Sequence, residues 1–221
     1  IVDRGELDDL SGGVRVGWTL GDGDYYADAA KNYDKVWGLM GIAVDVGVGR
    51  LHGEFGVPLA LEIEVENSPA SLRLTRATVG FDWFESAKFT LRAEYHFNGP
   101  GTSDSDDYLF ELQSTELARG ERYFLGRHYA GLAASYLPFD DLLTLSLSAI
   151  GNLADPSMLL APSLTYAISQ NVSGTLGGYA GVGEYPDISF DPANPALTSF
   201  DVFSEYGLYG NVFFMQLSGY F

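Results

Sequence analysis

The side chains equipped for chemistry are three histidines, His52, His96 and His128, and the acids around them. An acid–base or nucleophilic site needs a histidine oriented by a carboxylate, often with a serine in reach. His96 and His128 flank a segment carrying Asp104, Asp106 and Asp107, so the spacing permits such a site. It does not demand one, because 30 acids put an Asp near most histidines by chance. There is no H-x-x-x-H pair and no cysteine to build a metal site. No cofactor, metal or chemical step is therefore expected, and hydrolase or acyltransferase chemistry is the residual alternative. A second set is electrostatic: Glu54, Glu62, Glu64, Arg92, Glu94 and His96, with Arg73, Arg76 and Asp82 beside them.

What positions these groups is a period of two. From Leu51 to Glu66, Leu51, Phe55, Val57, Leu59, Leu61, Ile63 and Val65 alternate with His52, Glu54, Gly56, Pro58, Ala60, Glu62, Glu64 and Glu66. Strict alternation marks a strand with unlike faces. Its length exceeds the five or six residues usual for soluble strands and suits a tilted bilayer crossing. About ten such strands can be drawn, near 13–20, 36–49, 51–66, 72–84, 88–98, 128–137, 143–152, 159–169, 172–182 and 206–221. In the fourth, the outward parity changes around Thr75–Arg76, which predicts a β-bulge. Strands six to nine keep an apolar face, but their other face carries small residues such as Gly131, Ala133, Ser135, Ser146, Ser148, Ser163 and Thr165.

The connections alternate in length. GVGR, FES, FDD and SQN are tight, whereas 21–35, 67–71, 99–127, 154–157 and 183–205 are longer. Short turns on one side and longer loops on the other belong to an antiparallel up-and-down transmembrane β-barrel. The expected fold is thus all-β, one domain over 1–221, with a non-strand lead-in over 1–12. A bacterial barrel of this kind is expected to have an even number of strands. Mean hydropathy is +0.02, which does not count against a barrel, since alternation dilutes each strand. The 27 glycines and 14 tyrosines fit tight turns and interfacial aromatic belts. A formal charge of −18 argues against nucleic acid as a partner.

The segment 99–127 is too long to be structureless without cause. Within it SDDYLFELQSTELARGER predicts a short helix capped by Ser105, with Leu109, Leu112 and Leu117 on an apolar side. Folded into the mouth, it forms a constriction or plug through Asp106, Asp107, Glu111 and Glu116; packed outside, it is an external cap.

The last strand, with Phe213, Met215 and Leu217 before a final Phe221, resembles the C-terminal strand of bacterial outer-membrane β-barrel proteins. Gly219 stands where that pattern usually has an aromatic residue. The stretches EYHFNGPG and ELARGERYFLGRHYAGL are similar to poorly characterised porin-like members of that group. The resemblance implies a bacterial outer-membrane location and Phe221 as a signal to the barrel assembly machinery. It also implies contact with lipid and lipopolysaccharide, and it leaves two readings of the chain open: the C-terminal part of a larger barrel, or ten strands that close by themselves. On these grounds the expected function is passive diffusion of small hydrophilic solutes, leaning towards cations because a charged lumen wall selects by sign. The alternative is a structural or partner-binding barrel, its charges filling a narrow interior, working as a homo-oligomer or as a subunit of an envelope complex.

Overall fold

The computed structural model describes residues 11–32, 35–60, 74–139, 142–189 and 199–220. Its main element is one antiparallel up-and-down sheet of 11 strands. The strands are β1 (Gly12–Leu20), β2 (Gly23–Asn32), β3 (Lys35–Val46), β4 (Gly49–Ala60), β5 (Arg76–Ser86), β6 (Phe89–Asn98), β7 (His128–Tyr136), β8 (Leu143–Asn152), β9 (Ser157–Ser169), β10 (Val172–Val182) and β13 (Val212–Gly219). A small hairpin, β11 (Asp187–Ser189) and β12 (Ser199–Asp201), stands apart from it. This is an all-β, antiparallel up-and-down sheet, as the alternation predicts.

Register puts one face outward. Val14, Val16, Trp18 and Leu20 of β1 share it with Met40, Ile42 and Val44, and with Leu51, Phe55, Val79 and Phe81. All of these but Val44 are exposed, from 37% at Phe81 to 71% at Val14 and Leu20. An apolar surface of this extent is larger than soluble monomers usually leave bare and marks a face that another apolar surface or lipid covers. Aromatic residues bound the apolar band at both ends. Trp18 stacks on Tyr25 and Trp83 meets Phe89 edge-on, both with centroids 6.0 Å apart, at the end of the tight turns. At the other end His128 lies between Tyr95 and Phe97. Phe89 to Phe97 covers roughly 26 Å of strand at ~3.3 Å per residue, close to the apolar height of such barrels once tilt is included.

Adjacent turns are joined at the tight end: Asp45 N–H donates to Asp22 O, Phe84 N–H to Val48 O, Leu137 N–H to Lys88 O and Tyr220 N–H to Asn171 O. We call this the turn end, and the opposite side the loop end.

Several expectations need correction. The stretch 21–35 is not a long loop: a turn with Gly21 at φ +59° leads straight into β2. Asp24 and Asp28 therefore sit in a strand, and β1 runs towards the turn end instead of away from it. The added strand makes the count odd, so β1 and β13 run in the same direction and stay unpaired among the described residues. The sheet is open there, and antiparallel closure calls for a further strand. The last strand starts at Val212, because Tyr206–Leu208 forms a 3-10 turn. The predicted bulge near Thr75–Arg76 does not lie within β5, which begins only at Arg76; β5 is instead irregular between Trp83 and Ser86, and further register shifts lie at Val36/Trp37 and Val172/Ser173. The alternation over 61–66, and the lead-in up to residue 10, lie outside the described residues.

Candidate functional site

The inner face of β1–β6 is ionic. Arg15 meets Asp28, with Nε to Oδ1 at 2.8 Å, and lies 4.3 Å over the Tyr26 ring. Arg50 pairs with Asp24 and approaches Asp45 at 3.6 Å. Arg92 holds Asp82 with two nitrogens, at 2.5 and 3.2 Å. His52 bridges two strands, its Nε2 3.1 Å from Glu94 and its Nδ1 3.5 Å from Asp82. Thr78 Oγ1 and His96 Nδ1 are 2.8 Å apart.

Glycine makes this wiring possible. Same-face residues two strands apart are separated by about 10 Å, and any side chain between them blocks the view. Gly41 on β3 leaves the space that the Tyr26 ring crosses to donate to Glu54 on β4; a Cβ there would collide with that ring. Gly80 on β5 does the same beneath the His52–Glu94 contact, where a Cβ would lie 2.5 Å from His52 Nε2 and 2.7 Å from Glu94 Cγ. An open depression of about 590 Å³ is lined by Asp24, Tyr26, Arg50, His52, Glu54, Asp82, Arg92 and Glu94.

The inner face of β7–β10 is different. Ala133 faces Ser148, Ser135 faces Ser146, Ser163 faces Gly177, and Thr165 bonds to Thr175 at 3.0 Å. These groups are shorter than the arginines of the other half, although Ile150 and Leu159 also face inward and the Phe214 ring of β13 lies over Gly177.

At the loop end, two segments fold back onto the inner face. From the 99–127 segment, the Phe124 ring lies 5.6 Å from His96 and 4.4 Å from Tyr129, both inward-facing. Asn98 Nδ2 donates to Gly126 O at 2.8 Å and Arg76 donates to Glu121 O at 2.7 Å. Inside the segment, buried Arg122 donates to Pro100 O at 2.8 Å and to Ser114 Oγ at 2.9 Å, and pairs with Glu111. From the 202–208 segment, Glu205 accepts from Leu125 N–H at 3.0 Å, from Asn152 Nδ2 at 2.9 Å and from the Tyr129 hydroxyl. Tyr108, Leu125 and Val202 form the buried hydrophobic cluster, with Leu117 and Leu208 against it. The best-packed part of the molecule is therefore a cap over one end of the wall. Burial pushes the Glu205 carboxyl above the usual carboxylate range; its three donors act against that and Asp155 adds to it. Burial likewise raises the phenols of Tyr108, Tyr206 and Tyr209.

Of the residues singled out in the sequence, Glu54, Arg92, Glu94 and His96 share the inner face with Asp82 and Arg76. Glu62, Glu64, Arg73 and Phe221 lie outside the described residues. His96 and His128 are not brought together: His96 faces inward, while His128 faces outward and meets Tyr95 Oη at 2.7 Å. In the 99–127 segment, Asp106 and Asp107 are exposed, with Asp107 accepting from Thr102 Oγ1 at 3.1 Å, and Glu111 holds Arg122. Glu116 accepts at its backbone oxygen from Glu121 N–H at 2.9 Å. The helix is broken into Ser105–Asp107, Tyr108–Glu111 and Thr115–Ala118. Asp104 caps its start, not Ser105, and Ser114 caps the last piece. Tyr108 faces the core, leaving Leu109 and Leu112 exposed. Glu205, Tyr129, Asn152 and Asp155 carry no motif, and no local pattern points to them.

The fold and site together define an open up-and-down barrel wall with an ionic inner face and a cap at one end. A solved structure described as the NanC porin in a rhombohedral crystal form is similar over 96% of this chain and 93% of its own, with a TM-score of 0.40 and 10% sequence identity. No family model matches the chain, and no curated protein matches it.

Proposed function

We propose that this chain is the wall of a bacterial outer-membrane porin that passes small hydrophilic solutes by diffusion, without a chemical step. The observation that carries this is the split inner face, ionic over β1–β6 and lined mainly by short side chains over β7–β10, with Ile150 and Leu159 among them. A barrel built only for strength fills its interior with side chains, and these short side chains fill less of it than the arginines of the other half. Among the described residues six inward carboxylates, Asp24, Asp28, Asp45, Glu54, Asp82 and Glu94, face four arginines, Arg15, Arg50, Arg76 and Arg92. That excess supports a preference for cations. The parity of the edge strands supports the reading that the chain is part of a larger barrel. The bare apolar band takes lipid, and lipopolysaccharide and the assembly machinery are the partners this setting supplies.

The cap favours a second reading, a structural or partner-binding barrel closed at its loop end, because its contacts are buried and specific. Single-channel conductance of the refolded chain in a planar bilayer, in KCl gradients, separates the two. Steady cation-preferring conductance is the expected result. A sealed bilayer from folded protein sinks the pore and leaves the second reading.

A further inference from the structure

Glu205 is 2% exposed, and the partners of its carboxylate among the described residues are neutral donors. Each donor belongs to a different element: Leu125 to the 99–127 segment, Tyr129 to β7 and Asn152 to β8. One carboxylate therefore ties both halves of the cap to the wall. Its own backbone N–H donates to Asp155 Oδ2 at 2.7 Å, which brings a second carboxylate alongside. The titratable groups facing it are Asp155 from the β8–β9 connection, Tyr129 from β7, Tyr108 from the 99–127 segment, and Tyr206 and Tyr209 from its own side. None of them carries a positive charge.

We infer that Glu205 is a proton-dependent latch: while it holds its proton the cap stays docked on the loop-end mouth, and losing the proton loosens the cap. The consequence for conduction rests on the pore reading; the latch itself rests only on the packing. Removing the proton leaves a charge in a dry site beside Asp155 with no cation to meet it. The docked carboxyl thus keeps its proton over a pH range in which the undocked one has lost it. Docking is firmest at the acid end of that range, weakens as pH rises through it, and levels off once both forms are ionised. The three neutral donors still serve the ionised form, so the cap loosens and is not expelled.

The test is amide exchange of 99–127 and 199–208 in the refolded chain in micelles between roughly pH 4 and 8, corrected for the intrinsic pH dependence of exchange. Protection should fall with pH by up to about tenfold per pH unit, the limit for one proton, and should be flat in Glu205→Gln. In Asp155→Asn the fall should move to lower pH, because the neighbouring charge is gone; this variant carries the test if Glu205→Gln does not refold. Protection that ignores pH in the unmodified chain, that grows with pH, or that has the same profile in the variants overturns the latch. Conductance of the same samples keeps the two readings apart. Opening that follows the loss of protection supports both, whereas changing protection behind a bilayer that stays sealed keeps the latch and removes the pore.

Discussion

Asp82 on the inner wall and Glu205 in the cap are both acids with several partners, yet their surroundings are opposite. Asp82 meets Arg92 and His52; its own side chain is only 10% exposed, but the Arg92 side chain that holds it is 56% exposed. Pairs standing half in water contribute about 1 kcal/mol or less, because solvent competes for both charges. Among the described residues Glu205 meets no cation, and it meets almost no water, so Leu125 N–H and the Tyr129 hydroxyl proton have it as their acceptor, while Asn152 Nδ2 also reaches Tyr108 and Asp155. Leaving a buried donor unpaired costs about 1–3 kcal/mol. The wall carries many charges that matter little to stability, and the cap carries few that matter much. A strand's backbone partners hold the wall regardless of its side chains, whereas the cap has a few backbone bonds, such as Gly99 N–H to Thr75 O and Thr102 N–H to Leu125 O, and otherwise depends on side chains.

The largest effect that contrast predicts is for Glu205→Ala. It strands Leu125 N–H and the Tyr129 hydroxyl proton, and takes one of three acceptors from Asn152 Nδ2. We expect a loss on the order of 3 kcal/mol in cap docking, read as a roughly hundredfold loss of amide protection across 99–127. The far-UV signature of the sheet should persist. Protection that stays within about twofold of the unmodified chain would remove the contrast altogether.

Next in size is one substitution made in both regions. In Gly126→Ala the new Cβ collides with the Asn152 side chain, which is fixed by bonds to Tyr108, Glu205 and its own turn. In Gly80→Ala it meets His52 and Glu94, whose ends can swing into the open depression. We expect Gly126→Ala to cost about 1–3 kcal/mol and Gly80→Ala clearly less, measured as unfolding midpoints in denaturant. Equal costs would mean that the inner wall is as rigid as the cap, and would favour a filled barrel.

The same two regions differ in how far the sequence discloses them. The wall is legible because alternation is local: each strand reports its own faces, and nine of the observed ranges overlap closely with expected strands. β2 escapes because its outward positions are Tyr25, Ala27, Ala29 and Lys31, which contrast weakly with inward Asp24, Tyr26 and Asp28. Three acids in a short stretch read as a solvated loop, and alanine is a poor strand signal. The Gly-Asp-Gly at 21–23 was the available clue, being a tight hairpin turn chemistry. The cap is illegible for a different reason. Glu205 bonds residues 80, 76 and 53 positions away, and no periodicity encodes partners brought together by two folded-back segments. The bridging glycines fall between these cases: Gly41 and Gly80 are visible as small residues on a polar face, but what crosses over them belongs to other strands.

The smallest stability effects belong to the wall, and they test its electrostatic role. Glu54→Gln keeps an acceptor for Tyr26, and Glu94→Gln keeps one near His52. Neither change should move the unfolding midpoint by more than about 1 kcal/mol. If the inner face sets the sign of what passes, the double variant should still bring the KCl reversal potential towards zero, since it removes two of the six inward carboxylates while the arginines remain. High salt should shrink the difference between the variant and the unmodified chain, because mobile ions screen the wall. A reversal potential that stays put while conductance persists would assign selectivity to the cap, where Glu111 and Arg122 are already spent on each other, and the split inner face would then govern only the room available to a solute.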